Sequence, residues 1–277
     1  VTVRPRTPLG CYALQDPDFH VESPEGTSVL VDLSSVSFVY PFGLVFLDWY
    51  IRDLFSRGAR SVEVRVPSED VGNYLVRMRL VSAFEDDERA RFDVPWETVR
   101  ERDRRDVLVE LERFRVLNDD EVEELASRLV RVITEMPGPG VGFEPLFLTV
   151  CEAISNVEVH SGEEGGTVAV QRYRDSVCLA FADAGVGIPA RLGSQFPGES
   201  PGSVIAHAVE PGVSSRVGGG GMGLAELADL VTDEGERLTI HSDSGQIAVT
   251  PEGIQRVEGC CPIRGTLLEV QLRVRSG

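Results

Sequence analysis

Three short blocks in a fixed order constrain this chain more than anything else in it. The first runs Leu148-Thr149-Val150-Cys151-Glu152-Ala153-Ile154-Ser155-Asn156-Val157-Glu158-Val159-His160. As a helix, it sets Phe143, Phe147, Val150 and Ile154 on one apolar stripe, at spacings of three and four. Glu152, Asn156 and His160 then stack one turn apart on a different face. The second block is Asp183-Ala184-Gly185-Val186-Gly187-Ile188, and the third is Gly218-Gly219-Gly220-Gly221-Met222-Gly223-Leu224. Alternating strands over 167–172 and 177–181 deliver Asp183 to a sheet end, and a helix over 222–230 opens from the glycine run. A carboxylate and a carboxamide one turn apart can grip a hydrated magnesium ion. Glycines let backbone amides approach phosphate oxygens, and a helix opening there points its positive end the same way. Taken singly, each block has a plainer meaning: a solvated helix face, a turn, a flexible linker. The ordered set points to a nucleotide.

Composition narrows what such a site can use. All 27 basic residues are arginine, against 45 acidic ones, for a net charge of −18. With no lysine, a Walker-type phosphate loop and lysine-based covalent chemistry are excluded. The charge argues against a nucleic-acid surface, which needs clustered basic side chains. A 42% hydrophobic content over 277 residues allows a sizeable core in one large domain or two. No run of eighteen apolar residues occurs, so no membrane span is expected. Val1 to Leu9 carries arginines with no apolar stretch behind them, so a secretory signal is not expected. Five scattered cysteines suit reduced thiols in a cytoplasmic protein, with Cys260-Cys261 read as packed or loop thiols. His20, His207 and His241 show no ligand spacing, so zinc is not expected. His160 could serve the site or simply cap helix carbonyls.

The three blocks resemble the N, G1 and G2 boxes of the GHKL (histidine-kinase-like, Bergerat-type) ATP-binding fold. Within it, the chain is most similar to the bacterial anti-sigma-factor serine kinases. The similarity spans roughly the C-terminal two-thirds. It implies an α/β sandwich with helices on one face of a mixed sheet, and Mg2+ and ATP as cofactors. It also implies roles. Asn156 is the magnesium ligand and Glu152 the candidate general base. Asp183 accepts from the adenine amino group, supported by Thr266 in the last strand. Gly185 and Gly187 keep the base pocket free of side chains. Gly219, Gly221, Gly223 and Leu224 form the phosphate-facing hinge of a mobile lid spanning 192–217. Arg216 is a candidate γ-phosphate contact, from its position alone.

The N-terminal stretch reads differently. A strand over 28–33, a helix through Leu47, Ile51, Leu54 and Phe55, a strand over 61–66 and a helix over 74–84 resemble a STAS domain, the fold of anti-sigma-factor antagonists. Such antagonists carry a phospho-acceptor serine at the start of the first helix. Here Tyr40-Pro41-Phe42 precedes Gly43-Leu44, so Phe42 stands where the serine belongs. The expected organisation is a STAS-like α/β domain over 1–90, a charged connector over 91–105 and a GHKL domain over 106–277. Further strands are expected at 107–116, 238–242, 246–249 and 266–274, and a helix from 119 to 136.

The leading expectation is an ATP-dependent protein serine/threonine kinase of the anti-sigma type, acting on a partner protein such as a sigma-factor or STAS-type regulator. The alternative is a non-catalytic, ATP-gated interaction module with a STAS-like docking half. A homodimer is compatible with either. A sensor histidine kinase fits poorly, because no histidine-bearing dimerisation helix precedes the ATP domain. Without a serine at position 42, the N-terminal half is expected to be a constitutive scaffold, with Ser34, Ser35 and Ser37 as ordinary turn residues.

Overall fold

The computed structural model describes all residues except 6–7, 17–18, 100–107, 115–118, 136–145, 148–149, 152, 155–164, 214–222, 235 and 274–277. Two sheets organise the chain, which is mixed α/β. The first is parallel throughout, in the order β1-β2-β3-β4: Thr2–Val3, Ser28–Asp32, Ser61–Arg65 and Ala90–Asp93. Parallel neighbours need crossover connections. Helix α1 (Pro41–Ser56) supplies one between β2 and β3, and α2 (Glu69–Arg77) another between β3 and β4. The first sheet thus extends through β4 into the stretch read as a connector. The second helix is shifted relative to the sequence reading. Ser68 caps it, accepting from the Val71 N–H, and Arg79 turns the chain with φ +60° before a short 3-10 turn at Ser82–Phe84.

The second sheet has the order β5-β6-β7-β9-β8: Leu108–Phe114, Gly166–Arg172, Ser176–Asp183, Gly253–Arg273 and Arg237–Thr250. Every described pairing in it is antiparallel, where a mixed sheet was expected. Side chains alternate between its faces. Val168, Val170, Val177, Leu179, Phe181, Leu268 and Val270 face one core. They share it with Leu125 and Leu129 of α3 (Asp119–Thr134) and with Val150 and Ile154.

The opposite face is lined by Ala169, Ala180, Ala182 and Leu267, which belong to the core of the N-terminal elements. Helix α1 covers it. Twelve of the 16 residues of α1 are buried, as expected of a helix held between two layers and not of a surface helix. It lies against β6, β7 and β9, and the alanines are what allow the backbones to come close. Helices therefore cover both faces of this sheet, correcting the one-faced expectation.

Polar ties cross the same boundary. Asp48 of α1 is fully buried. Its Oδ1 accepts from Arg113 Nε of β5 at 2.8 Å, and its Oδ2 accepts from Thr167 Oγ1 of β6 at 2.8 Å and from Arg52 Nε at 3.1 Å. At the start of α1, where Tyr40 makes no side-chain cap, the Phe42 N–H donates to Glu269 of β9. Burial pushes that carboxyl up to about 7, against the opposing pull of Arg237 and of the Phe42 amide.

The β8–β9 hairpin is longer than the separate strands read from the sequence. Cys260 and Cys261 lie on it, both buried. The lid composition carries a helical turn, read from the sequence at 204–209 and longer in the structure. Within 192–213 lies helix α5 (Pro201–Ala208), which follows the short α4 (Ile188–Leu192). The Ser200 side chain caps α5, and Glu258 of β9 accepts from the Gly202 N–H at 3.1 Å and from Ser200 Oγ at 2.7 Å. Among the described residues, no helix is long and apolar enough to cross a membrane.

Candidate functional site

Asp183 is the last residue of β7 and lies directly opposite Thr266 of β9. Its side chain is nearly enclosed, with the residue 6% exposed. Oδ1 accepts from the Gly185 N–H at 2.7 Å, so the second block closes into a turn around its own carboxylate. Burial pushes the Asp183 carboxyl up to about 6, while the Gly185 amide, Thr266 and Arg191 of α4 pull the other way. Desolvation outweighs these opposing interactions because the carboxylate is nearly fully enclosed.

The glycines around it allow the backbone to pack closely. Gly187 has φ +82°, and a Cβ on it would stand 2.6 Å from Ser242 Oγ and 2.9 Å from the Gly265 carbonyl oxygen. Gly265 has φ +87°, and a Cβ there would fall 2.1 Å from the Asp183 carbonyl oxygen. Val186, between Gly185 and Gly187, points outward at 55% exposure. The result is a buried carboxylate acceptor at a sheet end, beside backbone that carries no side-chain bulk. A carboxylate accepts hydrogen bonds and does not donate them, so a group reaching its oxygens is selected as a donor, an amino group over a carbonyl.

Other expected site residues divide into two groups. Gly223 is the first residue of α6 (Gly223–Glu234), and Leu224 is half-buried between the main core and a small cluster of Leu192, Val204 and Ala208. Glu152, Asn156, Arg216, Gly219 and Gly221 lie outside the described residues. Of the stretch carrying the first two, Val150, Ala153 and Ile154 are helical and buried in the same core as Phe181, two residues before Asp183. The apolar stripe read from the sequence is therefore present at Val150 and Ile154.

No protein-family model matches the chain, and no curated protein does.

Sequence reasoning missed Ser242. It sits on β8 opposite Thr266, is fully buried, donates to the Gly265 carbonyl at 2.7 Å and accepts from the Ile188 N–H at 3.0 Å. Only the strand register brings it to the site, and register is not written in its immediate neighbours. Surface clefts of about 710, 580 and 530 Å3 open elsewhere, beside Arg52 and Arg113, beside Tyr74 and Arg77, and beside His20 and Arg57. In the largest, Arg52 and Arg113 already pair with Asp48, and Arg89 with Asp87, so its cations are spoken for. Among the described residues, no group of three His, Cys, Asp or Glu side chains could hold a metal ion.

Proposed function

We propose that the chain is a Mg-ATP-binding regulatory protein of the anti-sigma serine/threonine kinase type, acting on a partner protein. The observation that carries this reading is Asp183, a buried carboxylate at a sheet end with one oxygen accepting from the Gly185 N–H, held by glycine backbone at Gly187 and Gly265 that is packed too closely for side chains. Its other oxygen is the acceptor for the adenine amino group, and Thr266 steadies the pair from across the strand. When bound, Mg-ATP supplies the transferable phosphoryl group. Asn156 would hold the metal, and Glu152 would take the proton of the attacking hydroxyl. Gly219, Gly221 and Gly223 would bring backbone amides to the phosphates, with Arg216 as the nearest cationic candidate.

The test is titration calorimetry with ATP and with ITP, whose purine differs by a carbonyl where ATP has the amino group. In Asp183→Asn, the amide oxygen keeps the Gly185 N–H and the NH2 turns to the base. Two donors then face each other for ATP, but donor meets acceptor for ITP. ATP affinity should fall about 10²-fold or more, and the preference should move toward ITP. Well-folded wild type that binds no ATP would sink the reading.

The pH dependence has a definite sign. The folded pKa of about 6 lies above the ordinary value of 3.8, so the unliganded fold holds this proton across the window between them. Adenine recognition is strongest with the charged acceptor. ATP affinity should therefore be full above about pH 7 and decline as pH falls through 6. Asp183→Asn, measured alongside, supplies the baseline for titration of the phosphates. A decline of equal size in both proteins would remove Asp183 as its source.

The alternative is a non-catalytic ATP-gated module, and one observation bears on the N-terminal half in both readings. Phe42 and most of α1 are buried, partly under the chain's own second sheet, so the first turn of that helix is not presented to a kinase. Ser34 is engaged with Asp32, both through its N–H and through its hydroxyl. In either reading the N-terminal half acts as scaffold. Intact-mass measurement after incubation with Mg-ATP and the co-purifying partner separates the two: added phosphate on the partner supports the kinase, and none supports the module.

A further inference from the structure

We infer that Ser242 is a positioning residue for base selection: through its hydroxyl, β8 holds the two backbone segments that bracket Asp183. The inference rests on the ATP reading above and deepens it. Three observations meet at one atom. Ser242 Oγ donates to the Gly265 carbonyl at 2.7 Å, and Gly265 is the residue whose backbone abuts Asp183 so closely that no Cβ fits. The same oxygen accepts from the Ile188 N–H at 3.0 Å, fixing the far end of the Asp183–Ile188 turn. It also stands 3.5 Å from Thr266 Oγ1, the hydroxyl opposite Asp183. Ser242 itself is fully buried, so water cannot stand in for it without a rearrangement.

The consequence is geometric. Gly187 can pass this point only because it has no side chain, since a Cβ would lie 2.6 Å from Ser242 Oγ. The turn is therefore clamped between its own Gly185 bond to Asp183 at one end and Ser242 at the other. Remove the hydroxyl, and the Ile188 amide and Gly265 carbonyl both lose a buried partner. The turn is then free to shift, and the second oxygen of Asp183 loses its aim. The contacts of Ser242 gather on the turn that carries Asp183 and on the strand opposite it, so its influence should fall on the purine.

The test is Ser242→Ala, with ATP and ITP affinities measured by calorimetry on the full chain and melting temperature recorded in parallel. ATP binding should weaken about tenfold or more, with ITP affinity unchanged, so that the ATP:ITP ratio falls by the same factor. A general loss of stability would lower both affinities together and leave the ratio where it was. That outcome, or an unchanged ratio with unchanged affinities, overturns the inference. Should the alanine variant not fold, Ser242→Cys keeps the volume with a much weaker donor and is read by the same ratio. Wild type that binds neither nucleotide sinks the ATP reading itself, and wild type that discriminates no better than its variant sinks the inference alone.

Discussion

Gly265→Ala is expected to abolish ATP binding and to cost roughly 2–5 kcal/mol of folding stability, summing a left-handed backbone penalty and a packing clash. The backbone term comes from φ +87°, a conformation that L side chains avoid. The steric term is the larger one. The new methyl would be 2.1 Å from the Asp183 carbonyl oxygen, 2.8 Å from its carbonyl carbon and 2.9 Å from Oδ1. These are mostly backbone atoms of the neighbouring strand, paired in register with Thr266, so no side-chain rotation relieves the contact. Only a parting of β7 from β9 at their ends would do so, and that moves the carboxylate as well. Gly259→Ala is the control. It lies on the same strand at φ +69° with nothing within 4 Å of a new Cβ, so it should cost only the backbone term, about 1 kcal/mol. Urea denaturation and ATP calorimetry on both variants decide the matter. Equal costs, with ATP binding retained in Gly265→Ala, would show that the close approach around Asp183 is not a constraint.

The placement of Asp183 and its glycines was legible because it depends on local chemistry. An aspartate ending an alternating apolar run, followed by two glycines one residue apart, has few ways to fold. The structure puts Asp183 at the end of β7 and opposite Thr266. Long-range features were harder. Ser242 reaches the site only because β8 pairs with β9 in one particular register, and a single serine within a strand carries no mark of it. The long hairpin was read only as separate strands over 238–242, 246–249 and 266–274, and the stretch that joins them carries Pro251, Gly253 and Pro262. Pro262 falls where the β8–β9 register shifts, between the pairs Asp243–Ile263 and Gly245–Glu258, and β7 pairs with β9 only from Thr266 onward, so it interrupts no described pair.

The place of α1 had a signal that could have been used. Ser176 to Asp183 is apolar at nearly every position, Val-Cys-Leu-Ala-Phe-Ala between its ends, which is the pattern of a strand buried on both faces. Large residues occupy one face and small ones the other. The small face is the seat of α1, and Pro41 to Leu54 is itself apolar nearly all round. Each half of that interface was visible; the pairing was not, because nothing local says which buried helix covers which buried sheet.

That pairing makes Asp48 the most consequential charged residue outside the site. Asp48→Ala should lower the unfolding free energy by about 3 kcal/mol, at the lower end of what removing one partner from a buried ionic cluster costs. The lower end is appropriate because the Arg52 and Arg113 side chains are 27% and 35% exposed and can recover some hydration, whereas the Asp48 side chain is 0% exposed. The loss falls on contacts between the N-terminal helix and the second sheet: Arg113 of β5 at 2.5 Å through Nη2, and Thr167 of β6 at 2.8 Å. Trp49, the next residue and 3% exposed, reports on that seam by its fluorescence. The companion experiment replaces the whole cluster, Asp48→Leu with Arg52→Leu and Arg113→Met. Because an intact apolar replacement strands no charge, it should recover most of the lost stability. A single variant as stable as wild type would mean that the ions are solvated accessories and that alanine-lined packing alone holds α1 in place. A triple variant no better than the single one would mean that the directional bonds to β5 and β6 set the seating of α1, and that apolar volume cannot replace them.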